Sequence, residues 1–277
     1  KPVHARVERE DFFSWVKGKE ARIQGIIHLG ARTDTAEQDT ALFDRLNLHY
    51  SQQIWTLCTH FELPLIYASS AATYGGGEHG FDDSHAVVPK LRPLNPYGWS
   101  KQQFDLWALE QQASPPFWAG LKFFNVYGPN EYHKGRMASV IFHAFRQIRE
   151  TGKLRLFRSH RPEYAHGEQR RDFIYVKDLT KVVRFLLSGK APSGLYNLGT
   201  GQARTFNDLG RAVFSSLDMS PKIEYFDTPA DIRAAYQYFT EANMTKLLTA
   251  GYLEGFTSLE VGVVDYVQQY LRLKRYF

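Results

Sequence analysis

Cysteine is almost absent from this sequence. Its 277 residues include a single cysteine, Cys58, which excludes an internal disulfide framework and a zinc site built on cysteines. No uncharged apolar stretch approaches the roughly 20 residues that a membrane-spanning helix needs. The segment 1–9 is charged and unlike a signal peptide. We therefore expect a globular protein with no membrane partner.

The sequence also lacks a concentrated charge of either sign. Its 34 basic and 29 acidic residues give a net charge of +5, and the basic residues are spread along the chain. A nucleic-acid-binding protein usually has a concentrated basic stripe, so we expect no nucleic-acid partner. The ten histidines lack metal-ligand spacing, which predicts no metal site. Aromatic residues, in contrast, make up 15% of the chain, and this indicates a well-filled core and flat-walled pockets.

Short apolar runs alternate with helix-compatible segments in the first half of the chain. The runs 25–30, 63–69 and 120–126 are typical of buried strands, and the segments 40–61 and 100–112 are typical of helices. This alternation predicts an α/β fold, with helices on both faces of a parallel sheet. Ligands of such sheets bind beyond the carboxyl ends of the strands. The polar residues that follow each run are therefore candidates for a site.

The second half is less regular and predicts a smaller α/β part. It contains predicted helices at 137–150, 206–217 and 259–272, predicted strands at 172–176 and 195–198, and a predicted polar loop at 154–169. We assign residues 1–128 to a nucleotide-binding part whose sheet the chain re-enters at about 172–202. Residues 129–171 and 203–277 are assigned mainly to a substrate-binding part.

A tyrosine, a lysine and a serine form the pattern with the most chemical content. Tyr97 and Lys101 lie four residues apart at a predicted helix start, so both side chains fall on one helix face. A nearby ammonium favours the phenolate, and we therefore expect Lys101 to lower the pKa of Tyr97. Ser70 follows the second predicted strand, where its hydroxyl could hold a substrate oxygen while Tyr97 moves the proton. Taken singly, the pair also fits a chance arrangement on a surface helix, and Ser70 also fits a loop cap.

A series of motifs resembles, in order, those of the extended short-chain dehydrogenase/reductases, the NAD-dependent epimerase/dehydratase family. The motifs are LGA at 29–31, SSAATYG at 69–75, YGWSK at 97–101, FFNVYGP at 123–129, RDFIYVKD at 171–178 and NLGTG at 197–201. The resemblance implies a Rossmann-type doubly wound sheet, a catalytic Ser–Tyr–Lys triad and a nicotinamide cofactor that is tightly bound in the intact enzyme, with NADP favoured and NAD possible. It also implies a cytoplasmic enzyme that forms homo-oligomers. The cofactor-binding residues that it implies are Leu29, Gly30, Ala31, Arg32, Thr33, Asn47, Tyr97 and Lys101.

Two further motifs narrow the resemblance to one branch of that family. HKGRMASV at 133–140 and AYQYFT at 235–240 resemble stretches of the epimerases that invert C6″ of ADP-heptose for lipopolysaccharide or related glycans. This resemblance implies an ADP-heptose or similar sugar nucleotide as the substrate. It also makes Lys134 a second acid/base opposite Tyr97, although a phosphate-contacting or surface lysine is the alternative for that position. The substrate-binding residues that it implies are Ser70, Asn125, Val126, Lys134, Arg136, His143, Phe157, Arg158, Ser159, Arg171 and Tyr236.

Departures from the branch pattern leave other functions open. Arg136 stands where the branch usually has a small serine, and the segment 157–170 is long and basic, which suits either a diphosphate or an exposed loop. A UDP-hexose 4-epimerase has the same triad and stays an alternative. A catalytically silent sugar-nucleotide-binding protein is the alternative from outside the enzymes. A 4,6-dehydratase is disfavoured, because Ala71 and Ala72 occupy the places of its acidic pair.

The glycine-rich turn of a dinucleotide-binding fold, GxxGxxG, is absent from the sequence. By the resemblance, the first recognisable strand matches the fourth strand of the family. We therefore expect that a segment on the order of 40–50 residues is missing, by truncation or disorder. The same reasoning predicts weak cofactor binding by the 277-residue chain.

Overall fold

The computed structural model describes residues 5–233 and 236–277, so Ala235 of the AYQYFT motif lies outside the described residues. The strands are β1 (Ile26–His28), β2 (Leu65–Ser70), β3 (Trp118–Phe123), β4 (Asn125–Tyr127), β5 (Leu154–Arg158), β6 (Arg170–Tyr175), β7 (Gly194–Leu198), β8 (Ala203–Thr205) and β9 (Ile223–Asp227). The α-helices are α1 (Phe12–Val16), α2 (Thr40–Phe43), α3 (Tyr50–His60), α4 (Pro96–Glu110), α5 (Val140–Thr151), α6 (Val176–Leu186), α7 (Phe206–Ser216), α8 (Ala230–Arg233), α9 (Thr245–Thr249) and α10 (Leu259–Asp265). A π-helical turn, Asp44–His49, joins α2 to α3. None of the helices within the described ranges is long and apolar enough to cross a bilayer.

The central sheet is parallel and has the strand order β1-β2-β3-β7. Ser70 at the end of β2 lies opposite Phe123 at the end of β3, and Phe123 lies opposite Leu198 at the end of β7. These three residues define what we call the carboxyl edge of the sheet. The predicted α/β class with a parallel sheet is confirmed.

Helices cover both faces of this sheet because the side chains of its strands alternate between the faces. Leu65 of β2 packs in a cluster with residues of α3 and α4, on one face. The next residue, Ile66, packs in a cluster with residues of α6, on the other face. Both are fully buried, which explains why β2 reads as a continuous apolar run rather than an alternating one.

A second core lies beside the first and is built from α5, α7, α10 and the short strands around them. Its buried residues include Ile141, Phe173, Leu209 and Val263. β5 pairs with β9 in parallel, and β6 pairs with β4 in parallel and with β8 in the antiparallel direction. The division into nucleotide-binding and substrate-binding parts stays a prediction.

β5 and α6 are among the elements that differ from the predictions. The polar loop predicted at 154–169 is wrong over its first residues, because Leu154–Arg158 forms β5. Leu154 and Leu156 are buried on one side of that strand, while Arg155 and Arg158 are exposed. The helix α6 was not predicted, because charged residues interrupt its apolar stripe in the sequence. That stripe includes Val182 and Leu186.

Candidate active site

Ser70 lies where β2 turns into the 3-10 helix Ala71–Tyr74. Its hydroxyl accepts a hydrogen bond from the Ala72 backbone N–H at 3.1 Å. The Thr73 hydroxyl donates to the Ser70 carbonyl at 2.8 Å. Ser70 therefore caps the turn, which is the alternative role that the sequence left open for it. The cap fixes its side chain at the carboxyl edge.

Tyr97 stands in the first turn of α4, directly above that edge. Asn95 caps the helix, accepting from the Gly98 N–H at 2.8 Å, and Pro96 occupies the first helical position. The helix start packs tightly on the turn after β2, since a Cβ built on Gly98 would lie 2.8 Å from the Ala72 carbonyl oxygen. This close approach places the Tyr97 side chain beside the Ser70 hydroxyl, which lowers the pKa of Tyr97.

Lys101 completes the group one helical turn after Tyr97. It is 4% exposed, and its ammonium donates to the Ala68 carbonyl of β2 at 2.9 Å. Burial lowers the pKa of Lys101 to about 8, and the Asp105 carboxylate opposes this shift. The structure thus brings Ser70, Tyr97 and Lys101 together at the carboxyl edge.

The pKa of Tyr97 moves in the opposite direction from our expectation. Burial raises the pKa of Tyr97, the nearby Ser70 hydroxyl lowers it, and the Asp105 carboxylate raises it further. The prediction that Lys101 lowers the pKa of Tyr97 is therefore wrong when the groups of the protein alone act on Tyr97. The reason is that loss of solvent around a phenol disfavours its charged form more than the contacts favour it.

The segment 29–33 follows β1 at the carboxyl edge, and Asn47 fixes its backbone. Asn47 is 1% exposed; its side-chain oxygen accepts from the Arg32 N–H at 2.8 Å. Its amide group donates to the Arg32 carbonyl and to the Ser100 hydroxyl, both at 2.9 Å. These bonds occupy both protons of the Asn47 amide, so its effect on a bound cofactor would pass through the position of Arg32.

The loop after β1 also offers donors that fit a nucleotide. The Arg32 guanidinium pairs with Glu37 at 3.1 Å, but its Nε is buried without a hydrogen-bond partner among the described residues. A buried unpaired donor is costly, and a phosphate or ribose oxygen would satisfy it. At Gly30 an added Cβ would meet no atom within 4 Å, so there is open space beside the loop. These residues fit a dinucleotide cofactor lying along the carboxyl edge.

A partly buried histidine behind this loop, His28, had no predicted role. The His28 ring lies 2.9 Å from the Ser51 hydroxyl, from Nε2 to Oγ. Burial and the nearby Lys101 charge lower the pKa of His28 to about 4, so the ring is neutral at physiological pH. Within the residues that the structure describes, no group of three or more His, Cys, Asp or Glu could hold a metal ion.

The HKGRMASV segment forms an exposed loop that faces the loop after β1. Buried Glu131 anchors it, accepting from the backbone N–H and the hydroxyl of Ser139 at 3.1 and 2.7 Å. Lys134 is exposed. Arg136 reaches across to Asp34 and forms an ion pair with it. The segment thus bridges the two predicted parts of the chain.

A cavity of about 390 Å³ opens between β5, β6 and α5, within the size range of ligand pockets. Asn125 is the first residue of β4 and lies two residues after the end of β3. It links the cavity to the carboxyl edge. Buried Arg171 lies against two aromatic rings, with its Cζ 5.2 Å from the centroid of Tyr236 and 5.7 Å from that of Phe206. The residues that line the cavity are Asn125, Val140, His143, Gln147, Arg155, Leu156, Phe157, Gln169, Arg171, Phe206, Phe226 and Tyr236.

Six predicted substrate residues do not line that cavity: Ser70, Val126, Lys134, Arg136, Arg158 and Ser159. Arg158 pairs instead with Asp227 at 3.2 Å. Ser159 is buried in its own loop, where its hydroxyl donates to the Arg161 carbonyl at 2.9 Å. A role for either residue in substrate binding stays a prediction.

Other lining residues were not predicted, and Arg155 is the main example. Its Cζ lies 4.6 Å from the centroid of the Phe226 ring, so it adds a second cation beside Arg171. The alternation in LRLFR at 154–158 was the signal that could have identified it as a strand residue. Phe226 had no such signal, because it reaches the cavity through the pairing of β9 with β5.

Known proteins share this chain's sequence and fold over most of its length. A sequence model described as "NAD dependent epimerase/dehydratase family" matches residues 10–199. A Fusobacterium nucleatum protein named ADP-L-glycero-D-manno-heptose-6-epimerase is 45% identical over 275 residues, which cover 96% of this chain and 83% of that protein. A protein of the same name from Nitratidesulfovibrio vulgaris strain DP4 is 52% identical over 249 residues, covering 90% of this chain and 77% of that protein.

Solved structures agree with the sequence relatives. The crystal structure of the Helicobacter pylori ADP-L-glycero-D-manno-heptose-6-epimerase superposes with a TM-score of 0.77 at 26% identity, covering 96% of this chain and 78% of that one. The Thermus thermophilus UDP-glucose 4-epimerase complex with NAD has a TM-score of 0.72 at 21% identity, covering 94% of this chain and 81% of that one, and supports the fold alone. The resemblance drawn from the motifs is confirmed: the chain belongs to the NAD dependent epimerase/dehydratase family.

Proposed function

We propose that this protein is an epimerase that inverts C6″ of ADP-glycero-manno-heptose by transient oxidation to a ketone. One observation carries the reaction type: Ser70, Tyr97 and Lys101 meet at the carboxyl edge, beside donors that fit a nicotinamide dinucleotide. The choice of sugar nucleotide rests on relatives at 45% and 52% identity that are named ADP-L-glycero-D-manno-heptose-6-epimerase.

The first half of the reaction is a proton transfer by Tyr97 coupled to loss of hydrogen from carbon. Tyr97 accepts the proton of the C6″ hydroxyl, while Ser70 donates a hydrogen bond to the same oxygen. The C6″ hydrogen leaves with its electron pair, and the carbon becomes a ketone. A bound nicotinamide supplies the chemistry of accepting and returning this hydride. Lys101 holds a positive charge one helical turn after Tyr97, where its ammonium donates to the Ala68 carbonyl.

The second half returns the hydrogen to the other face of the ketone and needs a proton from the other side. Lys134 is exposed on the loop that faces the loop after β1, and we assign it this proton transfer. The electron pair that leaves C6″ comes back to C6″, so the substrate undergoes no net oxidation.

Substitution of each proposed acid/base separates the two roles. Tyr97→Phe removes the proton acceptor of the first step, and we expect the epimerisation rate to fall at least about a hundredfold, the usual contribution of general acid–base catalysis. We expect a similar loss for Lys134→Met, but this variant should still oxidise and reduce an aldehyde analogue of the substrate. Retention of full epimerase activity by Lys134→Met would remove Lys134 from the second role.

The cofactor-binding residues proposed here are Arg32 on the loop after β1, Asn47 behind it, and Lys101 on α4. The resemblance of the motifs favours NADP over NAD, and we propose NADP as the cofactor of a homo-oligomer in the cytoplasm. Extraction of the purified enzyme with acid, followed by chromatography, identifies the bound dinucleotide. Recovery of NAD alone would overturn the choice of NADP and leave the epimerase proposal unchanged.

The proposed function is tested by incubating the cofactor-loaded enzyme with ADP-D-glycero-D-manno-heptose and reading the configuration at C6″ by NMR. We expect conversion to an equilibrium mixture with the L-glycero epimer and no change at C4″. UDP-glucose serves as the control substrate, because a UDP-hexose 4-epimerase would convert it at C4″. Conversion of UDP-glucose without conversion of the heptose would contradict the proposal.

A further inference from the structure

A fully buried ion pair lies next to the triad, and the proposed reaction does not use it. Asp105 on α4 and Lys122 on β3 are both 0% exposed, and their Oδ2 and Nζ atoms are 2.6 Å apart. Removing two charges from water costs as much as their attraction returns, so an apolar pair of similar size would serve stability at least as well. Stability alone therefore does not explain why this ion pair is present.

Asp105 ties α4 to β2 immediately before the catalytic serine. Its Oδ1 accepts from the Tyr67 hydroxyl at 3.0 Å, and its Oδ2 accepts from the Ser69 hydroxyl at 2.6 Å. Between them, the Ala68 carbonyl accepts from Lys101 at 2.9 Å. Three consecutive residues of β2 are thus bound by two side chains of the helix that carries the catalytic tyrosine.

Lys122 ties the turn after β2 to the same point. Its ammonium donates to the Thr73 hydroxyl at 2.9 Å, and that hydroxyl donates to the Ser70 carbonyl. The ammonium also lies 5.2 Å from the centroid of the Tyr74 ring. The ion pair is therefore connected through one hydroxyl to the backbone of Ser70.

We infer that Asp105 and Lys122 are positioning residues for the triad: together they set α4 in register with β2, and Asp105 places a carboxylate one helical turn after Lys101. The inference rests on the proposed function for its kinetic test. Neither residue touches the reacting atoms, because both lie beneath the carboxyl edge with no exposed surface.

The electrostatic part follows from which charges act on the triad. Asp105 raises the pKa of both Lys101 and Tyr97. The shift at Lys101 favours its protonated form at neutral pH despite its burial. No other charged group in the described part of the chain shifts the pKa of both residues. The titratable and charged residues on the elements packed around the triad are His28 on β1, Asp44, Arg45 and His49 in the π-helical turn, Tyr67 on β2, Tyr74 in the turn after β2, Asp105 on α4 and Lys122 on β3.

The kinetic test compares pH profiles of kcat/KM for the wild type, Asp105→Asn and Asp105→Glu. Loss of the carboxylate lowers the pKa of both catalytic groups, so Asp105→Asn should move both limbs of the profile down by about one pH unit. Asp105→Glu keeps the charge, and its profile should stay in place even if its maximum falls. Equal loss of activity in both variants, with limbs at their wild-type positions, would show a purely structural role and overturn the inference.

A direct titration of Tyr97 keeps the test independent of the substrate. The ultraviolet absorbance of the phenolate is followed against pH in the holoenzyme, both with and without the Asp105→Asn substitution. In each case the titration of the corresponding protein that also carries Tyr97→Phe is subtracted. We expect the Tyr97 midpoint to fall in the variant, and an unchanged midpoint would overturn the inference whatever the substrate is. If Asp105→Asn does not fold, the double variant Asp105→Asn/Lys122→Met, in which Lys122 is no longer a buried charge without its partner, takes its place with the same expected direction. Failure of the wild type to convert ADP-heptose would overturn the proposed function alone.

Discussion

At the scale of single residues, burial sets the charge state of the candidate site. Lys101 loses affinity for its proton as it loses water, and its pKa falls to about 8. Tyr97 is affected in the opposite sense, because its charged form is the deprotonated one. The two shifts work against the ammonium–phenolate pair that the reaction needs. The positive charge of Lys101 and the hydroxyl of Ser70 therefore have to be held in place by their surroundings.

The same effect at His28 makes the stability of the fold depend on pH. The pKa of His28 in the folded protein is about 4, and the unfolded chain has the ordinary histidine value, so the unfolded state binds the proton between these values. Acidification through this range favours unfolding. We expect the free energy of unfolding to fall by about 2 kcal/mol between about pH 7 and pH 5 on account of this residue.

Urea unfolding of the wild type and of His28→Gln at the two pH values measures this contribution. Glutamine can keep the hydrogen bond to Ser51 but does not titrate, so its variant should lack this part of the loss. An equal loss in both proteins would show that His28 is not responsible.

At the scale of elements, the triad depends on how closely α4 approaches the turn after β2. The approach is possible because Gly98 has no side chain; a Cβ there would lie 2.8 Å from the Ala72 carbonyl oxygen and 2.9 Å from the Cβ of Pro93. Neither atom is at the end of a flexible side chain. A larger residue would push the helix start, and Tyr97 with it, away from Ser70.

Gly98→Ala tests this dependence. We expect a loss of about 1–3 kcal/mol in the free energy of unfolding, as for other overpacked sites, and at least a tenfold fall in kcat from the displaced Tyr97. Gly255→Ala is the matched control, since a Cβ there would meet nothing within 4 Å. A Gly98→Ala variant with the stability and kcat of the control would refute the close-packing account.

The individual elements also show which parts of the fold local sequence patterns can predict. β2 and α4 were predictable because a continuous apolar run and an Asn-Pro helix start are local signals. β5 was missed because its partner β9 lies 69 residues away, from Leu154 to Ile223, and its two arginines resemble a solvated loop. Motifs identified the triad residues, but the Asn47 hydrogen bonds to Arg32 and the Asp105–Lys122 pair depend on tertiary packing and leave no local signal.

At the scale of the whole molecule, the chain places a cavity next to the carboxyl edge of the sheet, with Asn125 between them. Asn125 directly follows β3 and Phe124 and also lines the cavity, so a sugar nucleotide could place its sugar at the triad and its diphosphate near Arg171 and Arg155. The ion pair between Arg136 and Asp34 joins the HKGRMASV segment to the loop after β1. Arg136 is 68% exposed, and exposed ion pairs contribute little to stability.

Arg136→Ser should therefore affect substrate binding more than stability. We expect a change of less than about 0.5 kcal/mol in the free energy of unfolding and a rise of a few-fold in KM that diminishes at high salt, because salt screens exposed charges. Asp34→Asn should have the same effect, and the double variant should be no worse than either single one. Additive effects on KM would show that Arg136 acts on the substrate independently of Asp34.

The central claim is that C6″ is inverted by removal and return of its own hydrogen. The most direct test follows ADP-D-glycero-D-manno-heptose labelled with deuterium at C6″ through epimerisation in ordinary water, with the product analysed by NMR and mass spectrometry. The account predicts an L-glycero product that keeps its deuterium at C6″, because the hydrogen never exchanges with solvent. A product that has lost the label to water would contradict it.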